Sequence, residues 1–185
     1  QRSSSRYYQR PDSRAPELDP NATSLGGYAS TVQVQKQSGL HWTGDFWVSA
    51  TSPGYEINDL GFLQRADRIA TGGALRYNER QPGRLFRNWS ANVVQNHTLN
   101  YDGDWIEKIW RYGGQVMLLN YWSIEAAGTY ELDRMDDRLT RGGPLALKPA
   151  SWTARVGVDT DPRRAIGVGV DVNAAGDGVG SRTDG

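Results

Sequence analysis

The chain contains no cysteine, which excludes a disulfide framework and thiolate chemistry while leaving the redox compartment open. It carries no excess of either charge. Lys and Arg total 21 and Asp and Glu total 21, so the net charge of zero supplies no electrostatic pull toward nucleic acid or an anionic surface. Nucleic acid is not expected as a partner. No segment approaches the ~18 consecutive apolar residues of a membrane-spanning helix, and the polar start at Gln1 does not read as a signal peptide. Any entry into a membrane would be made by strands. Histidine is scarce: His41 and His97 are too isolated in sequence to form a metal site, and no cofactor is expected.

With 185 residues, 37% of them hydrophobic and 23% charged, the chain is long and apolar enough for one sizeable folded domain. Its clearest pattern is a period of two. In Leu40 to Thr51, the residues Leu40, Trp42, Gly44, Phe46, Val48 and Ala50 fall on one side, against His41, Thr43, Asp45, Ser49 and Thr51. Only Trp47 breaks the polar set. A helix would mix these groups on one stripe, so the segment is predicted as a strand.

The same alternation predicts about eight long strands. They lie at 25–37, 40–51, 68–78, 85–101, 105–119, from Trp122 to Leu132, from Trp152 to Val158, and through Ile166, Val168, Val170 and Val172. Ser38-Gly39, Gln81-Pro82-Gly83, Asp102-Gly103 and Asp161-Pro162 mark short turns. Residues 52–67 and 133–150 are long connections, 1–24 reads as an irregular arm or outer loop, and 175–185 as a loop-like tail.

Long and short connections alternate, so in an antiparallel meander the elaborate loops gather on one rim. That asymmetry, with strands near the ~9 to 11 residues of a membrane crossing, predicts an all-β, antiparallel up-and-down meander forming a segment of a transmembrane outer-membrane β-barrel. The apolar face would then meet lipid and the polar face a wet or plugged interior. A soluble barrel or sandwich has the same alternation, its apolar side turned to a core. If the short turns are periplasmic, both termini fall on the outer side, so the chain is expected to be an excerpt of a larger barrel.

Two loop motifs carry a resemblance. The run from Ser52-Pro53-Gly54-Tyr55-Glu56 through Leu60-Gly61-Phe62, with Arg65-Ala66-Asp67, and the run Asp136-Asp137-Arg138-Leu139-Thr140-Arg141-Gly142-Gly143-Pro144, with Pro149 and Trp152, resemble a family of bacterial surface proteins. In that family a carbohydrate-binding domain similar to family nine precedes a C-terminal domain of unknown function that resembles an outer-membrane barrel. The resemblance covers about Tyr28 to Val172. It implies a place in the cell outer membrane, lipid as a partner, and a role in binding or transport of glycans or other polymers. The sugar-binding residues belong to the part not present here.

Candidate chemistry lies in the two long loops. Tyr55, Glu56, Asn58, Asp59, Phe62, Arg65 and Asp67 in one, with Asp136, Asp137, Arg138 and Arg141 in the other, form the candidate site. Paired carboxylates there would suit glycoside cleavage or calcium, which makes a surface glycan hydrolase the rival to a binding protein; a soluble β-sheet adhesin is the third reading. The plainer reading pairs these carboxylates with Arg65, Arg134, Arg138 and Arg141. Gly176, Gly178 and Gly180 lack the strand-to-helix context of a phosphate loop. Asn88-Trp89-Ser90 and Asn96-His97-Thr98 match glycosylation sequons but sit inside predicted strands, and Arg141-Gly142-Gly143 fits a tight corner better than RNA binding.

Overall fold

Alternating side chains place one row of each strand on each face of a sheet, and a sheet with one apolar face must find a surface to cover it. A computed structural model shows how the chain arranges these rows; it describes residues 10–14, 21, 23–57, 61, 63, 65–178 and the backbone of 181–184. The strands are β1 (Ala29–Lys36), β2 (Trp42–Thr51), β3 (Arg68–Glu79), β4 (Phe86–Leu99), β5 (Trp105–Leu118), β6 (Ser123–Glu131), β7 (Arg134–Asp136), β8 (Ala146–Lys148), β9 (Ser151–Asp159), β10 (Gly169–Asp177) and β11 (Ser181–Asp184). Eight long strands and the short β11 form one sheet in the order β1-β2-β3-β4-β5-β6-β9-β10-β11. Every neighbouring pair is antiparallel. The protein is therefore an all-β antiparallel meander.

The sheet is open. No pairing joins β1 to β11 or β10 among the described residues, so it is not closed into a barrel. The long connection 133–150 holds a small hairpin of its own, β7 with β8.

Two boundaries differ from the sequence reading. Where a loop-like tail was expected at 175–185, β10 runs to Asp177 and β11 spans Ser181–Asp184. Ile166 and Val168, placed by their alternation in the eighth strand, precede β10 and belong to the connection 160–168. Hydrogen bonding explains this turn. Arg163 folds back on Asp161 through its backbone N–H (3.0 Å), Nε (2.8 Å) and Nη2 (2.7 Å), and Thr160 and Val168 close the neck of the loop.

Register assigns the faces without ambiguity. Phe46 sits opposite Gly73, Leu75 opposite Val93, Val93 opposite Tyr112, Tyr112 opposite Gly128, and Val156 opposite Val172. All of these share one face. Gln33, Asp45, Arg76, Asn92, Arg111, Glu125, Arg155 and Asp171 share the other. Among the described residues, nothing covers the apolar face. Trp42, Phe46, Trp122, Ile124 and Val168 are between 37% (Ile124) and 58% (Val168) exposed. Fully buried apolar side chains among the described residues are few: Leu63 and Ala66 in the long loop, and Ala70, Ala74 and Ile109 on the polar face.

Candidate functional site

The long-loop rim collects the connections 52–67, 100–104 and 132–150, together with the arm residues 10–14. Its centre is the β4–β5 hairpin. Asn100, almost wholly buried, ties its own turn: its Nδ2 donates to Asp104 Oδ2 (2.9 Å), and its Oδ1 accepts from the Asp104 N–H (2.7 Å). Gly103 completes the turn with φ +91°, a left-handed backbone that glycine adopts at no steric cost.

Onto this tip folds the N-terminal arm. Arg10 Nη2 donates to Asp102 Oδ2 at 2.7 Å, with both side chains only 1% exposed, so the ion pair is effectively inside the protein. Ser13 Oγ and the Arg14 N–H donate to the same carboxylate at 2.8 Å. Asp12 accepts from the Leu145 N–H (2.8 Å), which joins the arm to the second long loop.

Asp67 stands at the base. It has φ +59°, its Oδ1 accepts from the Tyr101 N–H (2.9 Å), and it is 3% exposed. Burial pushes its carboxyl above the ordinary value, helped by the nearby charges of Asp102 and Asp137 and opposed by the Tyr101 bond and by Arg65. Next to it, Tyr101 Oη donates to Tyr28 Oη (2.9 Å), and burial pushes the Tyr101 hydroxyl upward as well.

Of the sequence-proposed site residues, the fold brings Arg65 and Asp137 together as an ion pair between the two long loops. This contact joins the two long loops. Asp136 Oδ1 accepts from the N–H groups of Arg138 and Leu139, both at 2.9 Å, and so holds the turn leading to Arg141 at φ +52°. Tyr55 donates its N–H to the Ser52 carbonyl (3.1 Å), and Tyr55 and Glu56 are half-buried. Asn58, Asp59 and Phe62 lie outside the described residues. Sequence reasoning missed Arg10 and Asp102, which are 92 positions apart; nothing local in either segment marks them as a pair.

Chemically, these acids are already committed. Asp102, Asp136 and Asp137 each hold a cation or backbone N–H groups, and Asp67 offers almost no surface to a substrate. Among the described residues, no group of three or more His, Asp or Glu is placed to hold a metal ion. Two shallow depressions lie instead on the polar face, where Gly113 and Ala127 remove bulk. One is lined by Arg111, Thr129, Thr153, Arg155 and Asn173, the other by Ser90, Asn92, Gln115 and Glu125. Arg155, which lines both, pairs with Asp171 (Nη2 to Oδ1 2.7 Å).

Comparison with known families matches residues 3–178 to the family described as Domain of unknown function (DUF5916). The chain belongs to this family. The DUF5916 match takes in both long loops, the arm residues at 10–14 and every strand through β10, so the rim and both sheet faces are features of one family domain. No curated protein and no solved structure matches the chain.

Proposed function

We propose that this DUF5916 domain is a segment of an outer-membrane β-barrel in a cell-surface protein, working in the binding or transport of glycans or other polymers. The observation that carries the reading is the uncovered apolar face. A water-soluble sheet would bury it, because a contiguous exposed apolar surface beyond a few hundred Å² is costly in water; here Val34, Phe46, Leu75, Tyr112, Val156 and Val172 are all exposed on it.

Aromatic residues band this face at both ends. Near the short turns Trp42 meets Tyr77 edge-on (4.9 Å), and Tyr77 stacks on Trp89 (4.6 Å). Near the long loops Trp110, Tyr130 and Trp152 stand opposite one another in register. From Trp122 to Tyr130 the chain advances about 27 Å at ~3.4 Å per residue, which at the ~35–45° tilt of barrel strands rises about 20 Å through an apolar band ~25 Å tall. The open edges at β1 and β11 fit a segment whose remaining strands lie elsewhere in the barrel. On the polar face, the Arg, Asn, Thr and Glu side chains of the two depressions suit hydroxyl-rich ligands, and the engaged rim acids favour binding or passage over hydrolysis.

The test is detergent dependence. The intact polypeptide is expected to stay dispersed only with detergent or bilayer and to migrate differently on a gel before and after heating. A monodisperse species in plain buffer, with unchanged migration, would overturn the reading.

A further inference from the structure

The net charge of zero hides an asymmetry between the rims. Among the described residues of the short-turn rim, the cations Lys36, Arg80, Arg84, Arg87, Arg163 and Arg164 stand with the carboxylates Glu79, Asp159 and Asp161. Asp161 is occupied by Arg163, and Glu79 accepts from the Gln81 N–H (2.9 Å). On the long-loop rim three cations are engaged by carboxylates, Arg10 with Asp102, Arg65 with Asp137 and Arg134 with Glu131, and Asp67, Asp104, Glu107, Asp133 and Asp136 add further negative charge there. Positive charge is therefore left over at one end of the sheet.

Two of the rim's guanidinium groups are held in place. Arg87 and Arg163 pack over the Tyr121 ring at 3.9 Å and 3.1 Å from its centroid. Tyr121 itself sits at φ +66°, in the tight turn between β5 and β6. Arg80, Arg84 and Arg164 are exposed, with no ion pair among the described residues. Exposed apolar side chains alternate with these cations along the same rim: Leu40, Leu85, Leu119, Trp122 and Ile166.

We propose that the short-turn rim is a docking surface for the headgroups of anionic phospholipids, an inference that rests on the membrane reading above. The chemistry is layered by depth. The apolar tips and the band of Trp42, Tyr77 and Trp89 lie where acyl chains begin, and the guanidinium groups beyond them meet the headgroup phosphates as positive charges. An acidic protein would use the cations but leave Leu40, Leu85 and Ile166 in water. An anionic bilayer surface satisfies both.

The experiment compares association of the intact polypeptide with vesicles of phosphatidylcholine alone and of equal parts phosphatidylcholine and phosphatidylglycerol. The expected result is preference for the anionic vesicles, reduced roughly tenfold to a hundredfold in the triple variant Arg80→Gln, Arg84→Gln, Arg164→Gln. Because these side chains project from turns, the variant keeps its strands; the triple Arg→Lys variant is expected to keep the preference. Equal association with both vesicles, or loss of preference in the Lys variant, overturns the headgroup inference and leaves the membrane reading standing. Association with neither overturns both. Binding of soluble polyglutamate in place of vesicles reassigns the rim to an acidic polypeptide.

Discussion

Asp67 and Asp102 show what single residues do at the long-loop rim. Asp67 sits at a left-handed φ of +59°, where Asn is as well tolerated as Asp, and its side chain is needed only as an acceptor for the Tyr101 N–H. Its folded-state pKa is raised by burial, so the folded chain holds this proton to higher pH than the unfolded chain. Stability from this group therefore falls as pH rises from its ordinary 3.8 through the raised value. Asp67→Asn is expected to flatten that decline and to match or exceed the parent at neutral pH in urea unfolding. Asp161 has the opposite sign. The Arg163 hydrogen bond pulls it down from 3.8 to about 2, so its contribution is present above 3.8 and lost as pH falls through about 2; Asp161→Asn should remove that acid-side loss.

Asp102→Asn leaves the buried Arg10 only the more distant carboxylates of Asp12 (3.4 Å) and Asp104 (3.9 Å). Breaking a buried pair costs ~3–5 kcal/mol when the survivor cannot reach water, but an arm can lift away and hydrate. The expected effect is therefore a smaller loss of global stability with rapid tryptic cleavage after Arg14, where the parent resists; Arg10 precedes Pro11 and is not a tryptic site. Asp67 was legible as a candidate residue. Its role was not, since its partner Tyr101 is 34 positions away.

At the scale of strands, alternation marked all eight long elements because a half-exposed sheet repeats every two residues. Trp47, the exception on the polar side of β2, has a structural reason: its indole lies against Gly72, its register partner on β3, and fills the space a side chain would take. Trp152 covers Gly176 in the same way from β9 to β10, on the apolar face. Gly72→Ala would drive a methyl into the Trp47 ring. It is expected to cost about 1–3 kcal/mol by overpacking, with a shift in tryptophan emission that Gly26→Ala, which meets nothing nearby, does not give. The β7–β8 hairpin and β11 escaped the sequence reading because strands of three or four residues are too short to display a period. The connection 160–168 escaped it because Ile166 and Val168 continue the alternation past the point where Thr160 and Asp161 close the turn.

For the whole molecule, the decisive contrast is between the two faces at mid-height. Val156 on β9 faces the apolar side and Thr153 the polar side. If lipid covers the apolar face, Val156→Arg should cost ~2–4 kcal/mol in folding into vesicles, while Thr153→Arg should be nearly neutral. Equal tolerance of the two, read from vesicle refolding yields, would contradict the membrane reading.

The sequence alone determined that the chain makes long antiparallel strands with one greasy and one polar face, and that elaborate loops collect on one rim. Those features are local, written in a two-residue period and in turn residues. Only the tertiary structure decided that the sheet stays open, that the apolar row is left uncovered, and that Arg10 reaches Asp102 while Arg65 reaches Asp137. Pairing register and loop closure bring together residues that are remote in the chain, and no periodicity encodes which of them will meet.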